Sequence, residues 1–128
     1  MRTLRLFLLV EALAFLAASQ VHAGLIAGYE HPQARIAENV IALVLVASLA
    51  TSWIRPAWTR GAGLAGQAFA LLGTLVGIIM IAIGIGPRTG PDIVYHVGIV
   101  VVLIWGLGVA WRLPREGTPA GPKEDRPV

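Results

Sequence analysis

The chain contains no cysteine, so it can form neither a disulfide nor a thiolate metal centre. It is also short of charge: 13% of its 128 residues are charged, about half the share of roughly 25% usual in a soluble domain. So few charges cannot cover a water-facing surface, which excludes an ordinary soluble enzyme. Lysine occurs once, at Lys123, against nine arginines. There is no phosphate loop, no nucleophile elbow, no paired-carboxylate hydrolytic site and no HxxxH or HExxH pair, so no enzymatic activity is expected.

What fills the chain instead is apolar residue, 56% of the total, with a mean hydropathy of +0.75. It falls in blocks of about twenty, the length that crosses a hydrocarbon core of about 30 Å. The fold class expected is all-α: an integral membrane four-transmembrane-helix bundle with approximate spans 4–28, 36–54, 64–86 and 92–111. Residues 113–128, rich in Pro, Gly and charge, are expected to form a disordered cytoplasmic tail. The first block has the look of a signal peptide, ending in Val21-His22-Ala23. Glu11 interrupts it, however, and Leu25-Ile26-Ala27 continues it, so a retained helix is expected.

The basic residues lie beside the apolar blocks, where membrane insertion accounts for them without nucleic acid. With the N-terminus cytoplasmic, Arg2, Arg5, Arg55, Arg60, Arg112, Arg115, Lys123 and Arg126 lie inside, and Arg35 and Arg88 outside. The positive-inside rule then puts both termini in the cytoplasm of a multi-pass plasma (inner) membrane protein. Trp53 and Trp111, beside Arg55 and Arg112, are expected interfacial anchors. Trp105 is expected in packing or facing lipid.

A shift of 58 residues, without gaps, aligns the two halves of the chain. It pairs Ala12-Leu13 with Ala70-Leu71, Gly28 with Gly86, Ile41 with Ile99 and Val44-Leu45 with Val102-Leu103. It also pairs Leu49 with Leu107, Trp53 with Trp111 and Pro56 with Pro114. Two helical hairpins repeated in parallel would share a pseudo-twofold axis along the membrane normal.

Two groups of residues could carry chemistry. Glu11 lies roughly 10 Å inside the first helix, where a carboxylate costs a few kcal/mol unless protonated or paired. Glu11, Ala14, Ala18, His22 and Leu25 share one helix face. Glu11 reads either as a proton- or cation-binding carboxylate or as a hydrogen-bonded side chain with Gln67 or Thr74 as partner. The second group lies at the outer mouth: His22, Glu38, Asp92 and His96. Asp92 and His96, four residues apart, share a face, so the carboxylate could orient the imidazole. In the 58-residue alignment Glu38 coincides with His96. Imidazole and carboxylate suit zinc, iron or copper, and two histidines could instead ligate haem. The bland alternative is a polar belt, with Thr89-Gly90-Pro91-Asp92 acting as a capping box. Gly24-xxx-Gly28, Gly73-xxx-Gly77, Gly106 and Gly108 point to close helix packing. Ser19, Ser48, Thr51 and Ser52 are expected to bond back to the preceding turn.

EALAFLAASQVHAG (Glu11 to Gly24), QAFALLGTLVGI (Gln67 to Ile78) and GPRTGPDIVYHVGI (Gly86 to Ile99) together resemble uncharacterised small four-helix integral membrane proteins of actinobacterial type. The resemblance covers roughly residues 1 to 112. It implies four helices and a bacterial inner membrane, with no activity to carry over. Small multidrug transporters also have a Glu in helix one, but their other motifs are missing. Fluoride channels match in length and helix count without their polar-track motifs, and a DoxX-like architecture matches in topology alone. Three functions follow as expectations: an accessory or structural protein that self-associates or joins a larger membrane complex; a small proton-coupled transporter or channel using Glu11; or a redox-associated subunit holding metal, haem or quinone at the outer mouth.

Overall fold

The structure, a computed structural model, describes residues 1–26, 30–86 and 88–115. Four helices account for nearly all of them: α1 Arg2–His22, α2 Pro32–Ile54, α3 Thr59–Ala82 and α4 Gly90–Trp111, with a 3-10 turn at Pro56–Trp58 leading into α3. Each is long and apolar enough to cross a membrane. Most of the tail expected to be disordered, from 116 onward, lies outside the described residues.

The ends of the helices differ from the hydropathy-based spans, and local chemistry explains why. Helix α1 stops at His22, not at residue 28, because Gly24 takes a positive φ of 77°. Gly24 N–H donates to Val21 O (3.1 Å) and Leu25 N–H to Gln20 O (3.2 Å), the paired bonds of a Schellman ending. Helix α3 ends the same way at Ala82, not at residue 86. Gly84 has φ 89°, its N–H donates to Ile81 O (3.1 Å), and Ile85 N–H donates to Met80 O (2.9 Å). Apolar Leu25 and Ile26 therefore lie beyond the helix, 75% and 68% exposed, and Leu25 does not share the inward face of Glu11. Helix α2 begins earlier than expected, at Pro32, because Pro needs no N–H partner in the first turn and His31 Nδ1 caps Ala34 N–H. Thr89 caps α4 by accepting from Asp92 N–H.

The helices neighbour one another in a ring, α1 to α2 to α3 to α4 and back to α1. Across the middle α1 approaches α3, whereas α2 and α4 stay apart. Leu4, Leu8, Phe15, Leu45 and Leu103 fill the centre. Leu13, Leu43, Leu72, Val94 and Trp105 face outward, each more than half exposed, the inside-out distribution that lipid-facing helices tolerate and water-facing ones do not. Small residues admit the close contacts: Gly73 lies against Ile41 and Gly63 against Leu4. Gly108 touches nothing, and Gly28 lies outside the described residues. Ser19, Ser48, Thr51 and Ser52 all donate to carbonyls three or four residues back (2.7–2.9 Å).

Helix bounds follow the 58-residue offset, and burial follows it between α2 and α4 but not throughout α1 and α3, where buried Glu11, Ala18 and His22 coincide with exposed Phe69, Val76 and Met80. The offset carries α1 to 60–80, inside α3, and α2 to 90–112, one residue past α4. Ala12 and Ala70, Ile41 and Ile99, and Leu45 and Leu103 are buried in pairs, while Trp53 and Trp111 are exposed in a pair. An arginine from the first helix of each hairpin lies over the tryptophan ending the second: Arg5 over Trp53 (4.4 Å) and Arg60 over Trp111 (5.3 Å). Arg5 also donates to Ser52 Oγ (3.2 Å) and to its carbonyl. The anchoring tryptophans thus meet arginines across the hairpin, and Arg55 instead lies over Trp58 (5.8 Å).

Candidate functional site

Polar side chains enter the bundle at two levels of α1, at Glu11 and at His22. Eleven residues, about 16 Å of helix, separate them on nearly one azimuth. Both are inside, Glu11 fully buried and His22 4% exposed.

Glu11 meets Gln67 across the α1–α3 approach. Gln67 Nε2 donates to both carboxylate oxygens, at 3.1 and 3.4 Å. Thr74, the other expected partner, donates to Ala70 O (2.8 Å). Helix α4 closes on the pair through Gly106, where an added Cβ would sit 2.7 Å from Glu11 Oε1 and closer still to Gln67 Nε2. Three helices therefore meet at one carboxyl–amide contact. Gln67 Oε1 is buried there without a hydrogen-bond partner, and no cation pairs with Glu11 among the described residues.

At the other level the helix ends converge. His22 closes α1, Asp92 occupies the first turn of α4, and Glu38 lies two turns into α2. An imidazole at a helix C-terminus and a carboxylate at an N-terminus both complement the helix dipole. His22 stands between the acids: Nδ1 is 2.8 Å from Glu38 Oε2 and Nε2 is 3.7 Å from Asp92 Oδ1. All three side chains are more than nine-tenths buried. Asp92 is both cap and cluster member, since Thr89 Oγ1 also donates to its Oδ2. The expected orientation of His96 by the Asp92 carboxylate is replaced by a backbone contact: His96 Nδ1 donates to Asp92 O at 2.7 Å.

Beside this cluster opens a cavity of about 490 Å³. Its walls are mostly apolar, with Phe15, Ile41, Val76 and Met80 among them, and His22, Glu38, Tyr95 and His96 supply polar groups. Tyr95 stands edge-on to Phe15 (6.3 Å between ring centroids) and to His96 (5.4 Å). Its hydroxyl is buried with no hydrogen-bond partner. His31 also borders the cavity and ties two segments together, accepting from Ala34 N–H through Nδ1 and donating to Ile85 O through Nε2 (3.2 Å). Glu11 does not line it.

Of the residues the sequence singles out, His22, Glu38 and Asp92 come into direct contact. His96 joins them through the Asp92 backbone, and Glu11 stands apart. Among the described residues no group of three His, Cys, Asp or Glu is placed to hold a metal ion. His31, Gln33, Tyr95 and Phe15 are among the wall residues that sequence reasoning does not assign to a site. His31 could have been found as the polar residue ahead of a first-turn proline. The chain matches no family model, no curated protein and no solved structure.

Proposed function

We propose that this is a four-span accessory protein of the plasma membrane, both termini cytoplasmic, that holds a small, largely apolar molecule at its outward-facing mouth. It is built from two parallel-repeated hairpins and acts without catalysis, alone or as part of a larger membrane complex. The observation that carries this reading is the cavity of about 490 Å³ beside His22, Glu38, Tyr95 and His96. A mostly apolar hollow of several hundred Å³ with a few convergent polar groups is the usual form of a small-molecule site. Arginines support the orientation: Arg2, Arg5, Arg55, Arg60, Arg112 and Arg115 gather at the end opposite the cavity, leaving Arg35 and Arg88 beside it.

Extraction from native membranes followed by mass spectrometry of bound small molecules tests the reading. Gly77 borders the cavity, and a Cβ there would stand an ordinary 3.5 Å from His96 Nε2. Gly77→Leu is therefore expected to fold, fill the hollow and remove a molecule that wild type retains. If wild type retains none and the variant matches it, the reading fails.

A second reading, proton-coupled transport through Glu11, draws on the burial of a carboxyl with one amide for a partner. It predicts lower proton flux into liposomes for Glu11→Gln than for wild type. Equal flux removes it.

A further inference from the structure

We propose that the cavity at the histidine end selects a cationic head on an apolar body, that is, a small amphiphilic amine. This rests on the cavity being a ligand site and adds the chemistry of what it takes.

The hydrogen-bonding groups in the inner wall of the hollow are mostly acceptors. His96 Nδ1 lies against a backbone carbonyl, which can only accept. Nδ1 therefore carries the proton, and Nε2 of the neutral ring keeps its lone pair. Thr74 Oγ1 has spent its proton on Ala70 O and can only accept further. Glu38 uses Oε2 with His22, leaving Oε1 without a hydrogen-bond partner among the described residues. His31 has both ring nitrogens engaged. Two wall side chains can donate, the Tyr95 hydroxyl and the Gln33 amide, and the latter belongs to an exposed residue at the start of α2.

Charge points the same way. Glu38 brings a carboxylate to the wall itself, engaged by His22 through one of its two oxygens. Of the two arginines at this end, Arg88 turns its guanidinium onto the last carbonyls of α3, Ile81 O (2.9 Å) and Ala82 O. Arg35 is exposed. Neither lines the cavity. The ligand best suited to this wall supplies hydrogen-bond donors and positive charge on a body that fits against Phe15, Ile41, Val76 and Met80. An ammonium meets both needs. A quinone, whose carbonyls accept, would leave the Glu38 carboxylate and the His96 lone pair without a donor.

Three probes of similar size separate the cases: 2-phenylethylammonium, 2-phenylethanol and 3-phenylpropanoate. They would be titrated calorimetrically into the protein in phosphatidylcholine nanodiscs, with empty nanodiscs as the blank. A charge-assisted contact predicts that the ammonium binds about tenfold or more tighter than the alcohol, with the carboxylate weakest. Glu38→Gln, which keeps an oxygen for His22, is expected to bring the ammonium down to the alcohol. His96→Leu, a second variant, is expected to weaken both donors. Equal binding of ammonium and alcohol, or tightest binding of the carboxylate, overturns the selection for cations and leaves the ligand site standing. Binding by none of the three overturns both.

Discussion

Helix α1 carries two polar side chains into the bundle, and the protein treats them in opposite ways. At Glu11 the neighbours close in: Gln67 spans the carboxyl, and the Gly106 backbone approaches both. At His22 the polar groups border a cavity, and Glu38 keeps Oε1 without a hydrogen-bond partner among the described residues. Burial alone does not separate the two, since both side chains are inside. What separates them is whether the remaining hydrogen-bonding capacity faces packed helix or a hollow. A closed layer can do little except hold three helices together, whereas an open one can receive a ligand.

The sharpest way to break this contrast is to remove the centre of the open layer. His22→Ala removes the imidazole between two buried carboxylates and leaves Glu38 without its hydrogen-bond partner, and losing one member of a buried ionic network costs about 3–5 kcal/mol. Adding Glu38→Gln should recover part of that loss, because it removes the carboxylate that His22 engaged. Reversible unfolding in mixed micelles, read as a double-mutant cycle, measures both. A cost for His22→Ala of under about 1 kcal/mol would mean that the three side chains do not act as a network.

The closed layer should be broken by volume. Gly106→Leu drives a side chain into Glu11 and Gln67, and overpacking of this kind costs about 1–3 kcal/mol. Gly108→Leu, where an added Cβ meets nothing, should stay within about 0.5 kcal/mol. Equal effects at the two glycines would show that the α4 backbone does not close on the pair. A smaller change is expected from Tyr95→Phe. It deletes a hydroxyl that lacks a partner and keeps the edge contact with Phe15, so stability should hold or rise slightly. Ammonium binding in the calorimetric titration should move by less than for Glu38→Gln.

How much of this was legible in the sequence depends on what decided each feature. The four apolar blocks carry their own signal, so the helices could be read directly. Their ends could not, because hydropathy continues through Leu25 and Ile83 while Gly24 and Gly84 turn the chain. Gln67 could be read as the partner of Glu11, being a polar residue at a comparable depth in another helix. The i to i+4 spacing of Asp92 and His96 brought the right residues together through the wrong atom, since spacing does not say whether side chain or carbonyl is met. Likewise Trp53 is adjacent to Arg55 along the chain but stacks with Arg5 across the hairpin. The cavity was out of reach altogether. It exists because Gly73 and Gly77 leave room beside Phe15 and Tyr95, a product of how four helices pack.

The smallest expected effect is also the one that best distinguishes the two layers. Glu11→Gln keeps the shape of the side chain and converts a carboxyl–amide contact into an amide–amide one. The new carbonyl oxygen can still accept from Gln67 Nε2, which now lies 3.1 Å from Glu11 Oε2. The new amide nitrogen can donate to Gln67 Oε1, at present buried without a partner. A reciprocal pair would replace a one-sided one, so stability should be unchanged or higher by up to about 1 kcal/mol. Glu11→Leu, by contrast, strands the whole Gln67 amide in apolar surroundings and should cost about 1–3 kcal/mol. If Glu11→Gln proves as damaging as Glu11→Leu, the carboxyl group itself is required at this level. The packed layer would then be more than a clasp, and the transport reading would gain the ground that the comparison denies it.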